Sequence, residues 1–201
     1  SYKFVIITSP VQSYFSGPIK VCLETKFSRA DEGGVGFAKT SGNYGRALLP
    51  TYLAEKKGYQ QIIWTDAHQH QFIEEAGTMN LMFIINGILI TPPLSNSILP
   101  GITRDSILKI ARKKGIKVQE RLISIKELFN AYNEGSLEDA FGTGTAANLT
   151  HISQIDFEDQ NLHLPPINKR IISSELLNTM DSIKKGLVED EFGWVYKIQP
   201  N

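Results

Sequence analysis

The sequence predicts an α+β fold, or an irregular α/β arrangement around a mixed sheet. Three observations carry that expectation. Strand-length apolar runs and amphipathic helical stretches are interspersed without regular βαβ alternation. Asn86-Gly87 separates two apolar runs, the strongest short-range hairpin signal. Several helical stretches also carry their own start and stop residues. The 201 residues are 41% hydrophobic and 21% charged, enough to bury one sizeable core and too apolar for disorder.

Taken in order, Phe4-Val5-Ile6-Ile7 is a continuous apolar run that reads as a buried strand, and Ser16-Gly17-Pro18 reads as a turn or linker. Residues 1–16 are therefore expected to close a domain whose earlier part is absent, leaving 17–201 as a second unit. Val21-Cys22-Leu23 reads as a strand. A helix is predicted over Asn43 to Lys57, with Leu48, Leu49, Tyr52 and Leu53 facing inward and Gly58 as terminator. Pro50 lies inside that pattern, where proline costs about 3 kcal/mol, so the helix starts later or kinks. Gln61 to Thr65 reads as a strand, and Thr78–Ile85 with Ile88–Ile90 as the hairpin around Asn86-Gly87. The spacing predicts a helix over Thr103 to Lys114, with Thr103 as N-cap, Asp105 in the first turn, Arg112-Lys113-Lys114 in the last, and Gly115 as stop. Ser124-Ile125-Lys126-Glu127 is a capping box opening the next helix, with Leu128, Phe129 and Tyr132 inward. A last helix is predicted over Ser173 to Lys185, with Leu176, Leu177, Met180 and Ile183 on one face.

Some function classes lose support at once. Twenty-one basic residues are balanced by 21 acidic ones, so no charge excess favours nucleic acid or an anionic membrane. The longest apolar run, Leu81 to Ile85, is too short to span a bilayer, and no secretory signal pattern opens the sequence. Cys22 is the lone cysteine. It excludes an internal disulfide framework and a cysteine-based metal site, and it fits a reducing, cytoplasmic compartment.

Three segments rich in small polar residues stand out: Gly33 to Gly45, Leu99 to Arg104, and Phe141 to Ala147. Glycines let a ligand approach the backbone and expose amide groups, and the second segment runs into a helix N-terminus suited to an anion. None is a Walker A or dinucleotide fingerprint. A phosphate cradle and ordinary tight turns both fit. Lys39 stands just before a helix. It is either a solvated lysine or, if desolvated, a neutral amine able to attack an aldehyde. If Glu74-Glu75 lies on a strand, the two carboxylates point to opposite faces. One of them could then ion-pair a pyridine nitrogen; surface charge is the simpler account. His68 and His70 lack a third ligand and read as exposed polar residues. Trp64 and Trp194 read as packing residues.

Together these segments resemble the branched-chain amino-acid aminotransferases, pyridoxal-phosphate enzymes of fold type IV. Gly33-Gly34-Val35-Gly36 to Lys39-Thr40-Ser41-Gly42-Asn43-Tyr44-Gly45 is similar to their lysine segment. Ile73-Glu74-Glu75-Ala76-Gly77-Thr78-Met79-Asn80 is similar to their glutamate segment. Thr91-Pro92-Pro93-Leu94 with Ile98 to Arg104 is similar to the phosphate loop, and Phe141 to Ala147 to the last binding loop. The resemblance runs in order along nearly the whole chain. It implies an α+β large domain with a mixed, barrel-like sheet and flanking helices, and pyridoxal 5'-phosphate as cofactor. Lys39 would carry the cofactor and move the proton at the substrate Cα. Glu75 would pair with the pyridine nitrogen, and Tyr44 would bond the phenolic oxygen. Ile102, Thr103 and Thr145 would hold the phosphate, and Arg29 would support the cofactor. Thr78, Ala146 and Ala147 would help hold the substrate carboxylate.

Within fold type IV, Gly77-Thr78-Met79-Asn80 and Gly142 to Ala147 resemble the branched-chain group more than D-amino-acid aminotransferase or aminodeoxychorismate lyase. The implied substrates are leucine, isoleucine or valine with 2-oxoglutarate, and the implied assembly is a homodimer. Family members also carry a small N-terminal domain that supplies part of the substrate pocket and dimer contacts. Only its last strand would be present, over Tyr2 to Phe15, so the chain alone is expected to be inactive or nearly so. A catalytically silent association module is the competing expectation.

Overall fold

The computed structural model describes residues 3–7, 10, 15–145 and 148–197. Among them run β1 (Ile19–Glu24), α1 (Ser41–Lys56), β2 (Gln61–Thr65), β3 (Ile73–Ala76), β4 (Met79–Ile85) and β5 (Ile88–Thr91). There follow α2 (Ile102–Lys113), β6 (Val118–Glu120), α3 (Ile125–Asn133), β7 (Leu137–Gly144), β8 (Asn148–Phe157), β9 (Gln160–His163) and α4 (Ile171–Lys184). The strands form one mixed sheet in the order β3-β2-β1-β8-β7-β4-β5-β6, with β9 against β8. A further pairing of β3 with β4 closes β3, β2, β1, β8, β7 and β4 into a barrel and leaves β5 and β6 as a flange. Three pairs are parallel, β1 with β2, β1 with β8 and β5 with β6; α1 and α2 supply the long crossovers of the first and the last.

β4 belongs to both barrel and flange. Leu81, Phe83 and Ile85 pack into the core shared with β1, β8 and α3, while Met82 and Ile84 pack into a second core under α2 and α4. Burial on both faces explains why its sequence is a continuous apolar run rather than an alternation. Asn86 and Gly87 both adopt positive φ, as a two-residue hairpin turn requires.

Five sequence expectations need correction. Phe4 to Ile7 form no strand and are exposed: nothing among the described residues pairs with or covers them. The apolar face of α1 also lies outward, with Leu48 71% and Leu49 56% exposed. The buried side of α1 is instead Asn43, Pro50 and Ala54. Fully buried Trp64 fills the space over β2 with Ile62, so only small side chains fit between helix and sheet. Pro50 stays within the helix, which starts at Ser41, earlier than expected. Thr103 is not the cap of α2; Gly101 is, with no side-chain cap bond. Finally, Phe141 to Gly144 is strand, not turn. A Cβ on Gly142 would lie 2.7 Å from Met79 Sδ, so this glycine admits a side chain of the neighbouring strand.

Half of the capping box expected for α3 forms: Ser124 Oγ accepts from the Glu127 amide at 3.0 Å, the Glu127 carboxylate accepts instead from Arg121, and Leu128 and Phe129 are buried. The start of α4 is fastened by a buried polar knot. Arg170 Nη1 donates to Asp139 Oδ1 (3.0 Å) and to the Ile152 carbonyl (2.8 Å), and Ser173 Oγ donates to Asp139 Oδ2. The knot ties β7, β8 and α4 together. No helix among the described residues is long and apolar enough to cross a membrane.

Candidate active site

The site grows from a hairpin the sequence reading missed. β3 and β4 join through Gly77-Thr78, which sets Ala76 opposite Met79 and Glu75 opposite Asn80. The strand alternation puts Glu75 in the interior, 4% exposed, with Glu74 on the other face. Glu75 Oε1 accepts from Asn80 Nδ2 (3.0 Å) and from the Leu99 amide (2.8 Å). Glu75 Oε2 lies 2.9 Å from Arg29 Nε. Arg29 is itself buried, and its Nη2 donates to the Gly36 carbonyl (3.3 Å) and the Ser97 carbonyl. One guanidinium thus fastens the carboxylate, the lysine loop and the loop before Leu99.

Burial pushes the Glu75 carboxyl up to about 7, against the pull of the Arg29 guanidinium and the Leu99 amide; the Glu74 charge pushes up and Lys39 pulls down. Glu74 is also raised, by burial, against its bond from the Ser97 hydroxyl and the Arg29 charge.

Lys39 and Tyr44 line the same cavity of about 380 Å³ as Glu75, Thr78, Asn80 and Leu99, a volume typical of small-molecule sites. Lys39 Nζ lies 5.8 Å from the Tyr44 ring centroid. The lysine loop is held to α1 by Asn43, whose Nδ2 donates to the carbonyls of Val35 (2.9 Å) and Ala38 (3.0 Å). Of the solvated and desolvated settings that both fit the sequence, the structure shows the first for Lys39. It is exposed at the cavity mouth, because the described residues cover only one side of the loop.

The bend from Leu99 leads directly into α2. The first bond within that helix runs from the Asp105 amide to the Gly101 carbonyl, 3.0 Å, so the preceding amides of Ile102 and Thr103 have no acceptor in the helix. A Cβ on Gly101 would lie 2.1 Å from Asn80 Oδ1; only glycine lets the bend approach this closely. Ile102 and Thr145 are exposed and Thr103 is half-buried. None of the three lines the cavity that holds Lys39. Ala146 and Ala147 lie outside the described residues. His68 is exposed in a turn, and His70 Nδ1 lies 2.9 Å from Thr65 Oγ1.

Asn80, Asn43 and Ser97 were missed as organisers of the site. The signal for Asn80 was present: a two-residue turn at Gly77-Thr78 sets it across from Glu75.

An amine, a phenol and a buried carboxylate on one cavity, beside a helix start, form an unusual set, and residues 2–155 match the class IV amino-transferase family. The chain belongs to the class IV aminotransferases. Among curated relatives it is 43% identical to branched-chain-amino-acid aminotransferase 2 of Bacillus subtilis over 201 residues, covering 98% of this chain and 55% of the relative. It is also 43% identical to a probable branched-chain-amino-acid aminotransferase of Staphylococcus epidermidis, with 98% and 56% covered. This aminotransferase chain therefore spans about half the length of the curated relatives it matches. The branched-chain aminotransferase of Thermoproteus uzoniensis, solved with norvaline, superposes with a TM-score of 0.78 at 27% identity, covering 92% of this chain and 58% of that one. The Thermobaculum terrenum enzyme in its PLP-bound form matches with a TM-score of 0.68 at 25% identity, covering 83% and 50%. These likenesses bear out the α+β barrel-like fold and the family resemblance read from the four motifs.

Proposed function

We propose that this chain is the large, cofactor-binding part of a branched-chain aminotransferase that uses pyridoxal 5'-phosphate. In the whole protein it would move the amino group of leucine, isoleucine or valine to 2-oxoglutarate, in the cytoplasm. The observation that carries this reading is the shared cavity of the Lys39 amine and the buried Glu75 carboxylate.

The residues fit the cofactor. A carboxyl held near 7 by burial gains from a cation at its free lone pairs, and a protonated pyridine nitrogen is one. When bound, pyridoxal phosphate supplies an electron sink for the substrate carbon that loses its proton. Lys39 takes that proton and returns it, which needs only one amine on a short tether. Glu75 would keep the ring nitrogen protonated, Arg29 holds Glu75 in place, and Tyr44 would donate to the phenolic oxygen. The Ile102 and Thr103 amides, with the Thr103 and Thr145 hydroxyls, would hold the phosphate at the start of α2. Thr78, with Ala146 and Ala147, receives the substrate carboxylate.

Residues 17–201 form this large part, and residues 1–16 lead out of a small domain that closes the cavity and joins a homodimer. The exposed Lys39 and the outward apolar face of α1 support that reading, since proton transfer at Cα is helped by excluding water.

The test is direct. Pyridoxal phosphate is added to the chain, the visible absorption recorded, and the mixture reduced with borohydride and mapped by mass. A pyridoxyl phosphate increment on the Lys39 peptide, absent in Lys39→Ala, is expected. Folded protein with no increment, or an increment spread over other lysines, overturns the proposal and favours a silent association module. Once the whole protein is in hand, turnover of L-leucine but not D-alanine separates this activity from the D-amino-acid branch.

A further inference from the structure

Asn80 sits at a junction that nothing in the proposed roles above uses. Its Nδ2 donates at once to Glu75 Oε1 (3.0 Å) and to the Leu99 carbonyl (2.8 Å). Its Oδ1 occupies the space beside Gly101 that a Cβ would need. The Leu99 amide returns a bond to the same Glu75 oxygen at 2.8 Å. Asn80 is 5% exposed, so water does not replace these bonds. Carboxylate, amide and bend form a closed ring of hydrogen bonds.

We propose that Asn80 is a positioning residue that locks the Glu75 carboxylate to the Leu99–Gly101 bend, so that the carboxylate and the start of α2 move as one body. The inference rests on the proposed function only for its consequence: the Asn80 side-chain amide, together with the direct Leu99 bond, helps set the distance between the pyridine end and the phosphate end. The ring itself belongs to the bare chain. A half-protonated carboxyl would not hold it steadily, because the protonated form is a weaker acceptor for both donors. The other charges acting on Glu75 are Arg29, Glu74 and Lys39; the Asn80 side chain bonds to Glu75 and Leu99 instead.

The test uses the 201-residue chain carrying ¹³C at glutamate carboxyls and ¹⁵N at asparagine amides, with Glu75→Gln to assign the signal. Asn80→Leu keeps the bulk and removes both donors. Its Glu75 titration midpoint is expected to rise by about one pH unit, as a hydrogen bond to a charged acceptor is lost. Exchange of the Leu99 amide is expected to quicken by about tenfold. A purely structural role for Asn80 moves the unfolding midpoint and leaves the Glu75 titration alone. Asn80→Asp is the second variant, expected to push the Glu75 midpoint higher still through like charge. In the unaltered chain, the Asn80 side-chain amide protons should titrate with the same midpoint as Glu75. An unmoved Glu75 midpoint in a folded variant, or Asn80 protons that ignore the Glu75 titration, overturns the proposal. The two readings part cleanly. An adduct on Lys39 with an unmoved midpoint removes the role of Asn80 alone, and a moved midpoint without an adduct removes the cofactor reading alone.

Discussion

Replacing Glu75 with glutamine should flatten the pH dependence of stability between about 4.5 and 7. The sign follows from the proton count. In the folded chain burial raises this carboxyl from 4.5 to about 7, so between those values the unfolded chain has lost a proton that the folded chain keeps. Stability is then greatest at the acid end and declines as pH rises through that window. At 1.4 kcal/mol per tenfold change in proton affinity, the gap is worth about 3 kcal/mol. Urea unfolding of both proteins from pH 5 to 8 measures it. The unaltered chain should lose about 3 kcal/mol more than Glu75→Gln over that range. Groups whose charge does not act on Glu75 are common to both proteins and drop out of the difference. Below about 7 the protonated Glu75 and the glutamine alike leave the Arg29 guanidinium without a charged partner, so the ion pair enters only at the alkaline end and is already contained in the raised carboxyl. Parallel curves for the two proteins would refute the reasoning, because they would mean that Glu75 titrates alike folded and unfolded.

Other outcomes follow from the packing. Arg170→Met strands the Asp139 carboxylate in the interior and should lower stability by about 3–5 kcal/mol, read as a fall in the urea midpoint; a loss below about 1 kcal/mol would show that the knot under α4 is not dry. Ser124→Ala removes the cap of α3 and should cost about 1 kcal/mol, and an unchanged midpoint counts against the cap. Leu48→Glu, on the outward face of α1, should change stability by less than about 0.5 kcal/mol while reducing binding of a hydrophobic dye. A large drop in stability would mean that Leu48 is packed after all.

The sequence disclosed most where a local rule decides the outcome. β2 and the hairpin around Asn86-Gly87 were legible because period and turn chemistry agree there. Helix α3 was legible because Ser124 caps it. Lys39, Tyr44, Thr78, Arg29 and Glu75 were picked out, and they share one cavity. The failures are tertiary. Leu48, Leu49, Tyr52 and Leu53 form a convincing inward stripe, yet Trp64 across the gap admits only the small side of α1. Phe4 to Ile7 read as buried because periodicity reports hydrophobicity, not whether a partner is present. The glycines of Phe141 to Gly144 signalled a turn, whereas Gly142 is there to make room for Met79. Asn80 went unnoticed because its importance lies in what it touches 19 residues further on.

Closing the barrel through β3 and β4 has a consequence for how this chain misbehaves in a tube. Among the described residues the sheet is left with two free margins, β6 and β9, of three and four residues. Such stubs offer growing fibrils little to copy. The outward leucines of α1 remain the sticky feature. Clumping at high concentration should thus give shapeless precipitates that mild detergent redissolves, silent to dyes that report stacked strands.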